Sequence, residues 1–247
     1  MKKLEADVIV VAAGPAGLSA AIAAAEEGAS VIALEKANTT GGTGNMGMGP
    51  LGIETRKQRD KLVDLTKEKA FKMMMEYNHW RVDARLVRDY IEKSAETIEW
   101  LEDMGVEFFD VTRYFKGSEA SWHLVKPPTG LPGPRAAAHM YKLMTERAEE
   151  LGVEFYLETP VKEIIKENDQ IVGVKAQDKS GEPVEARGKA VIVATGGFGD
   201  NPEWIKKHTG FEWGSNLFSF RIPGLVGEGL NMAWEAGAGK SEITLEL

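Results

Sequence analysis

Residues 8–35 carry the pattern of a βαβ unit, and this pattern restricts the fold more than any other feature of the sequence. Four β-branched residues at 8–11 precede a turn that contains Gly14 and Gly17, and an alanine-rich stretch then leads to a second apolar run at 31–34. A glycine turn between a strand and a helix is typical of units that bind the ADP half of a dinucleotide. The sequence therefore predicts an α/β fold with a parallel central sheet.

The turn and the end of the second strand supply groups that suit a nucleotide. Gly14 lets the backbone approach a pyrophosphate, and Gly17 lets the helix pack closely on the strand. Main-chain N–H groups near Ala16 face the phosphates with the positive end of the helix dipole. Glu35 follows about 20 residues after the turn, where a carboxylate binds ribose hydroxyls and repels a 2′-phosphate. We therefore expect the chain to disfavour NADP.

Ala12 stands where the dinucleotide fingerprint has its first glycine, so the motif reads Ala-x-Gly-x-x-Gly. We expect its methyl group to crowd the chain or the ligand at the turn. The alternative is an α/β turn that binds nothing. The preceding strand, the following helix and Glu35 together favour the binding role.

Composition excludes several classes of function. The net charge is −8, and no lysine–arginine patch is interleaved with aromatic residues, so we expect no nucleic-acid partner. The chain contains no cysteine, which excludes disulfides and thiol redox chemistry within it. It also has no apolar run of about 18 residues, so we expect no membrane span and a cytoplasmic location. The histidines lack metal-ligand spacing, so no metal site is predicted; they are His79, His123, His139 and His208.

Hydrophobic periodicity and turn residues outline the remaining elements. A glycine-rich loop at 39–50 is longer than a simple turn, and long loops inside compact domains are usually functional. Residues 110–133 are predicted to be irregular. The strand at 190–194 is entirely apolar, which predicts burial on both faces. The predicted helices are 83–104 and 135–151, and the other predicted strands are 106–109, 153–157, 160–166, 170–177 and 183–187.

In this order, the motifs resemble the N-terminal part of the fumarate reductase/succinate dehydrogenase flavoprotein family. They are the Gly14/Gly17 turn, Glu35-Lys36, Gly41-Gly42, Thr159-Pro-Val161, Ala194-Thr-Gly-Gly197 and Gly227-Glu-Gly-Leu-Asn-Met-Ala233. The resemblance implies FAD as the cofactor and a Rossmann-like FAD-binding fold with a parallel central sheet, a β-meander and added helices. It also implies hydride transfer between the flavin and a C=C or C–C bond of the substrate.

The resemblance further implies which residues contact FAD. Glu35 would hold the adenosine ribose, and the backbone of Val161 would touch the adenine. Glu228 stands where the family usually has aspartate. No histidine lies between Glu35 and Gly52, where some members bond FAD covalently, so FAD is expected to be non-covalent. The full implied set is Gly14, Pro15, Ala16, Gly17, Glu35, Lys36, Thr40, Gly41, Gly42, Val161, Ala194, Thr195, Gly196 and Gly229.

The family pattern predicts one FAD-binding domain over residues 1–247 with a mostly helical insertion at 53–133. Family enzymes continue into a capping domain that carries catalytic residues, and this chain stops at Leu247, where that domain would begin. We therefore expect no capping domain, no complete catalytic set in the chain, and a capping or C-terminal segment as a missing partner. His123 and Arg135 are the remaining candidates for an active-site role.

Two interpretations stay open at this point. The chain is either part of an FAD-dependent oxidoreductase or a truncated, non-catalytic dinucleotide-binding module. The substrate is not specified by the sequence.

Overall fold

The computed structural model describes residues 1–218 and 223–241, which form two compact units. The first, called the sheet unit, comprises Met1–Thr43 and the described residues from Thr145 onward. The second, called the helix-rich unit, comprises Gly44–Met144.

The chain contains ten strands and seven α-helices within the described residues. The strands are β1 (Lys2–Glu5), β2 (Val8–Val11), β3 (Val31–Leu34), β4 (Phe108–Arg113), β5 (Ala120–Val125), β6 (Glu154–Tyr156), β7 (Val161–Glu167), β8 (Gln170–Gln177), β9 (Pro183–Arg187) and β10 (Ala190–Val193). The helices are α1 (Pro15–Glu26), α2 (Arg56–Asp60), α3 (Lys67–Tyr77), α4 (Ala84–Asp103), α5 (Ala137–Glu150), α6 (Pro202–Thr209) and α7 (Glu228–Glu235), with a 3₁₀ helix at Gly42–Met46.

A four-stranded sheet in the order β10-β2-β3-β6 forms the centre of the sheet unit. Every neighbouring pair in it is parallel, and Val8 lies opposite both Val31 and Ala190. β3 is buried along its whole length, as a run of four apolar residues in a covered parallel sheet should be. The predicted α/β fold with a parallel central sheet is confirmed.

A second four-stranded sheet contains the predicted β-meander, in the order β1-β9-β8-β7. β7, β8 and β9 pair antiparallel, while β1 joins β9 in parallel. The sequence analysis missed β1, because its residues, Lys-Lys-Leu-Glu, carry three charges and lie largely exposed. One apolar cluster packs the two sheets together; it includes Ile9, Ile32, Val174, Ala186 and Met232.

The prediction that residues 190–194 are buried on both faces is wrong for this structure. β10 is an edge strand of the parallel sheet, its end residues are exposed, and Val193 keeps 36% of its surface accessible. An apolar run is the pattern of a central strand, but the position of a strand in its sheet depends on pairing that local sequence does not encode.

The helix-rich unit corrects a second expectation. The short strand predicted at 106–109 is partly confirmed, because β4 begins at Phe108. Residues 110–133 were predicted to be irregular, but β4 continues to Arg113 and pairs with β5 in an antiparallel hairpin. Its register shifts near Phe108 and again near Thr112, and such bulges break the simple alternation that predicts a strand.

Helix α4 agrees with the prediction for 83–104. Asp83 caps it by accepting a hydrogen bond from the main-chain N–H of Arg85 at 2.8 Å. Ile91 and Ile98 are buried, but the large hydrophobic side chains of Leu86 and Tyr90 are 69% and 50% exposed. The buried stripe of this helix is therefore narrower than its apolar pattern.

Within the described residues, no helix combines the length and apolar character that crossing a membrane requires.

The two glycines of the first turn allow a matched test of helix packing. A Cβ at Gly17 would lie 1.9 Å from the carbonyl oxygen of Ala12, whereas a Cβ at Gly14 would meet nothing within 4 Å. We expect Gly17→Ala to lower the free energy of unfolding by about 3 kcal/mol through overpacking. Gly14→Ala should change it by about 0.5 kcal/mol or less, because Gly14 has φ −73°, which alanine also adopts. Urea unfolding of both variants measures the difference, and equal stabilities would contradict the packing role of Gly17.

Candidate nucleotide-binding site

The candidate site lies at the carboxyl edge of the parallel sheet, where neighbouring strands end in register. Val11 lies opposite Leu34 and Val193. The N–H of Ala12 donates to the carbonyl of Leu34 at 2.8 Å, and the N–H of Ala194 donates to that of Val11 at 2.9 Å. The glycine turn, the end of β3 and the segment after β10 therefore meet at one edge. Ligands of open α/β sheets bind at this edge.

Glu35 is a buried carboxylate that holds the turn from the next strand. It is 6% exposed. Its Oε2 accepts a hydrogen bond from the N–H of Ala13 at 2.7 Å, and its Oε1 accepts one from the N–H of Ala37 at 2.7 Å. A carboxylate has about four acceptor positions, so both oxygens keep capacity for hydroxyl donors. Glu35 thus combines a structural bond to the turn with a remaining capacity to bind a diol.

The start of α1 exposes main-chain donors. Gly14 is the N-cap and Pro15 follows it, so the cap residue has no side chain that could accept hydrogen bonds from the first turn. The first N–H groups of a helix have no acceptor within the helix, and they attract anions. Ala16, in this turn, is exposed. Because open space surrounds the missing Cβ of Gly14, a ligand can approach the backbone there.

The loop of residues 39–43, called the Gly41 loop, lies against this turn. The N–H of Gly41 donates to the carbonyl of Ala13 at 2.8 Å. A Cβ on Gly42 would lie 3.1 Å from the Cα of Gly14. Gly41 and Gly42 have φ of 86° and 47°, a region that favours glycine. The hydroxyl of Thr40 forms a 2.7 Å hydrogen bond with that of Thr145.

The N-terminus of α7 closes the same edge from another side. Lys36 Nζ donates to Oε2 of Glu228 and to the carbonyl of Gly224, both at 2.5 Å. A Cβ on Gly229 would lie 2.0 Å from the hydroxyl oxygen of Thr195. Lys36 therefore ties the end of β3 to the start of α7, and Gly229 permits close packing of α7 on the segment after β10.

The structure brings most of the predicted cofactor residues to this edge. Val161 differs, because it begins β7 in the second sheet and its side chain belongs to the apolar cluster. Its segment reaches the site through Thr159, whose N–H donates to the carbonyl of Glu35 at 2.8 Å. The residues at the carboxyl edge are Gly14, Pro15, Ala16, Gly17, Glu35, Lys36, Thr40, Gly41, Gly42, Ala194, Thr195, Gly196 and Gly229.

Sequence reasoning missed several partners of these residues. The N–H groups of Ala13 and Ala37 hold the Glu35 carboxylate, Glu228 pairs with Lys36, and Thr145 contacts Thr40. The main-chain donors have no side-chain signature, and the side-chain pairs are distant in sequence. The sequence carried a signal for only one of these contacts, the opposite charges of Lys36 and Glu228.

Within the described part of the chain, no group of three or more acidic or histidine residues could bind a metal ion.

Ala12 has φ +79°, so the residue in place of the first fingerprint glycine lies in the left-handed region. This conformation costs L-residues about 1–2 kcal/mol relative to the right-handed one, and glycine adopts it without that penalty. Besides the crowding expected from its methyl group, Ala12 therefore carries a conformational penalty in the turn itself.

We expect Ala12→Gly to raise the free energy of unfolding by about 1 kcal/mol, because glycine relieves the left-handed strain. The matched control is Ala13→Gly, at a buried neighbour outside the left-handed region, which should lose stability. Chemical denaturation of the two variants measures both effects. A loss of stability in Ala12→Gly as large as that in the control would contradict strain at Ala12.

His123, a candidate active-site residue in the sequence analysis, lies fully buried in the helix-rich unit. Its Nε2 forms a 2.8 Å hydrogen bond with the hydroxyl of Thr55, and its Nδ1 lies 3.2 Å from the carbonyl oxygen of Ser121. Burial, with a smaller contribution from the charge of Lys57, lowers the pKa of His123 from its ordinary value of 6.5 to about 4. The imidazole is therefore neutral near pH 7 and packs as a core residue.

The low pKa of His123 predicts a pH-dependent stability. Between pH 4 and 6.5 the unfolded chain binds a proton that the folded chain does not. Stability from this group is therefore fully present above pH 6.5 and decreases as the pH falls toward 4, by up to about 3 kcal/mol. His123→Gln should remove this part of the pH dependence. Unfolding free energies over this range measure it, and parallel pH profiles for the two proteins would rule out the assignment.

Comparison with known proteins identifies a family and several relatives of this chain. The model of the "FAD binding domain" family matches residues 7–246. The chain is 34% identical to vinyl phenol reductase of Lactiplantibacillus plantarum over 94% of its own length and 46% of the relative. It is 32% identical to the cytochrome-type fumarate reductase of Shewanella frigidimarina over 96% of its length and 41% of the relative. It thus spans less than half the length of each of these relatives.

A solved structure gives the same result for the fold. The open conformation of a flavocytochrome c3 fumarate reductase superposes with a TM-score of 0.83 at 27% identity. The match covers 96% of this chain and 41% of that one. Because the family model covers nearly the whole sequence, this chain belongs to the FAD-binding domain family of fumarate reductase-type flavoproteins.

Proposed function

We propose that the carboxyl edge of the parallel sheet binds the ADP half of FAD without a covalent bond. The observation that carries the proposal is the buried Glu35 carboxylate, fixed by two main-chain N–H groups beside the open space at Gly14. A buried carboxylate with spare acceptor positions suits the two hydroxyls of a ribose. The uncapped start of α1 suits the pyrophosphate that follows the ribose.

The residues present fit such a group. Glu35 would accept hydrogen bonds from the adenosine ribose, and the first N–H groups of α1 would stabilise the pyrophosphate charge. The Gly41 loop would run along the pyrophosphate toward the flavin, since it contacts the turn at Ala13 and Gly14. Thr195 and Gly196 would line the ADP from the β10 side. No histidine between Glu35 and Gly52 is available for a covalent flavin bond.

The proposal extends to the reaction of the whole protein. FAD supplies a centre that accepts or donates a hydride. Fumarate and vinyl phenol, named for two relatives, both contain an activated carbon–carbon double bond. We therefore propose reduction of a C=C bond, or the reverse oxidation, as the reaction class. The part of the relatives that this chain does not span is the proposed source of substrate-binding and proton-donating groups.

Nucleotide titration tests the binding role. The chain should bind FAD and ADP and bind NADP more weakly, because the Glu35 carboxylate repels a 2′-phosphate. Glu35→Ala should weaken FAD binding by about 1–3 kcal/mol, the cost of losing a charged acceptor. Glu158→Ala is the control, since its exposed side chain pairs with Lys179 instead. Calorimetry gives the affinities, and equal affinity for NADP and FAD would contradict the role of Glu35.

Glu35→Ala could also weaken FAD binding by disturbing the fold, because Glu35 holds the turn. A second variant separates the loss of binding from misfolding. In Gly14→Ala the new Cβ meets no protein atom within 4 Å, so the variant should fold normally. It should nevertheless bind FAD at least tenfold more weakly, since the methyl group occupies the proposed path of the pyrophosphate; about 1.4 kcal/mol corresponds to this factor. Unchanged FAD affinity in a folded Gly14→Ala chain would overturn the proposed site. A chain that binds ADP but never FAD would favour the non-catalytic module.

A further inference from the structure

Two main-chain contacts attach the Gly41 loop to the turn. These are the hydrogen bond from Gly41 to Ala13 and the close approach of Gly42 to Gly14. Because both residues are glycine, they contribute no side chain that could orient the loop. Thr40 directly precedes them and is half-buried. The orientation of its hydroxyl therefore depends on what the side chain contacts.

Thr145 supplies such a contact from α5. The two hydroxyl oxygens lie 2.7 Å apart, a normal distance for an O–H···O hydrogen bond. Thr145 lies between the buried residues Met144 and Ala148 on this helix. Two residues further on, Arg147 pairs with Glu26 near the end of α1 at 3.5 Å. Thr145 is thus carried by a packed helix, so it provides a fixed reference point for the Thr40 side chain.

We propose that Thr145 is a positioning residue for the flavin cofactor, acting through Thr40. This inference rests on the proposed FAD site. A threonine has a stiff χ1 angle, so one hydrogen bond to its hydroxyl is enough to select a single rotamer. Whichever hydroxyl donates, the contact holds the Thr40 oxygen in place before a ligand arrives. Thr145 itself needs no contact with the cofactor.

The test compares two substitutions at this position. Thr145→Val keeps the shape of the side chain but removes the hydrogen bond, and it should weaken FAD binding about fivefold, as expected for one neutral hydrogen bond. The visible absorption spectrum of bound FAD should also shift, because the loop beside the flavin loses its fixed orientation. Thr145→Ser restores the hydroxyl and should restore both the affinity and the spectrum. Thr97→Val is the matched control, since that threonine bonds the carbonyl of Lys93 on α4.

A double-mutant cycle with Thr40→Val separates positioning from general stability. If Thr145 acts through Thr40, adding Thr145→Val to Thr40→Val should cause no further loss of FAD affinity. The melting temperature of the FAD-free chain should be the same in Thr145→Val and Thr97→Val. Additive losses in the cycle, or a Thr145→Ser variant that fails to recover, would overturn the inference.

Failure of this inference is distinguishable from failure of the proposed function. If the unsubstituted chain does not bind FAD, the proposed site is wrong, and the role of Thr145 is wrong with it. If the unsubstituted chain binds FAD and Thr145→Val binds it equally well, only the positioning role is excluded.

Discussion

The arrangement of the candidate site depends on one buried carboxylate. Glu35 accepts hydrogen bonds from the N–H groups of Ala13 and Ala37, so it connects the end of β3 to the turn before α1 and to its own following segment. A buried charge is tolerated only when hydrogen bonds compensate its lost hydration. The same bonds fix the path of the backbone at the carboxyl edge, and the Gly41 loop then attaches to Ala13. The side chain that fixes this backbone is therefore also the proposed acceptor for the ribose hydroxyls.

The rest of the edge is built from close backbone approaches. Gly17 permits contact with the Ala12 carbonyl, Gly42 approaches Gly14, and Gly229 packs on Thr195. In each case the glycine has no side chain, so a neighbouring group occupies the space that a Cβ would fill. Glycines of three chain segments permit these approaches, which explains why the candidate site has few side chains of its own.

The sequence alone predicted the parallel sheet and the meander. It also led to the expected roles of Gly14, Gly17 and Glu35. These features could be predicted because they depend on residues that are close together in the sequence. It did not predict the Thr40–Thr145 pair, separated by 105 residues, because no local pattern marks a contact between distant hydroxyls. The sequence also failed to predict the exposure of β10 and the part of the hairpin beyond the short strand expected at 106–109. Both depend on strand pairing, which is decided by the whole sheet and by bulges.

The left-handed backbone of Ala12 has an evolutionary consequence. Alanine and glycine codons differ by one base, so a single mutation could remove the strain of the turn. Most other side chains would increase that strain, and β-branched ones would increase it most. At position 12, therefore, the substitution to glycine increases stability and most other substitutions reduce it. A protein that keeps alanine here has a free energy of unfolding about 1 kcal/mol lower than it would have with glycine. Its other positions therefore tolerate fewer destabilising mutations.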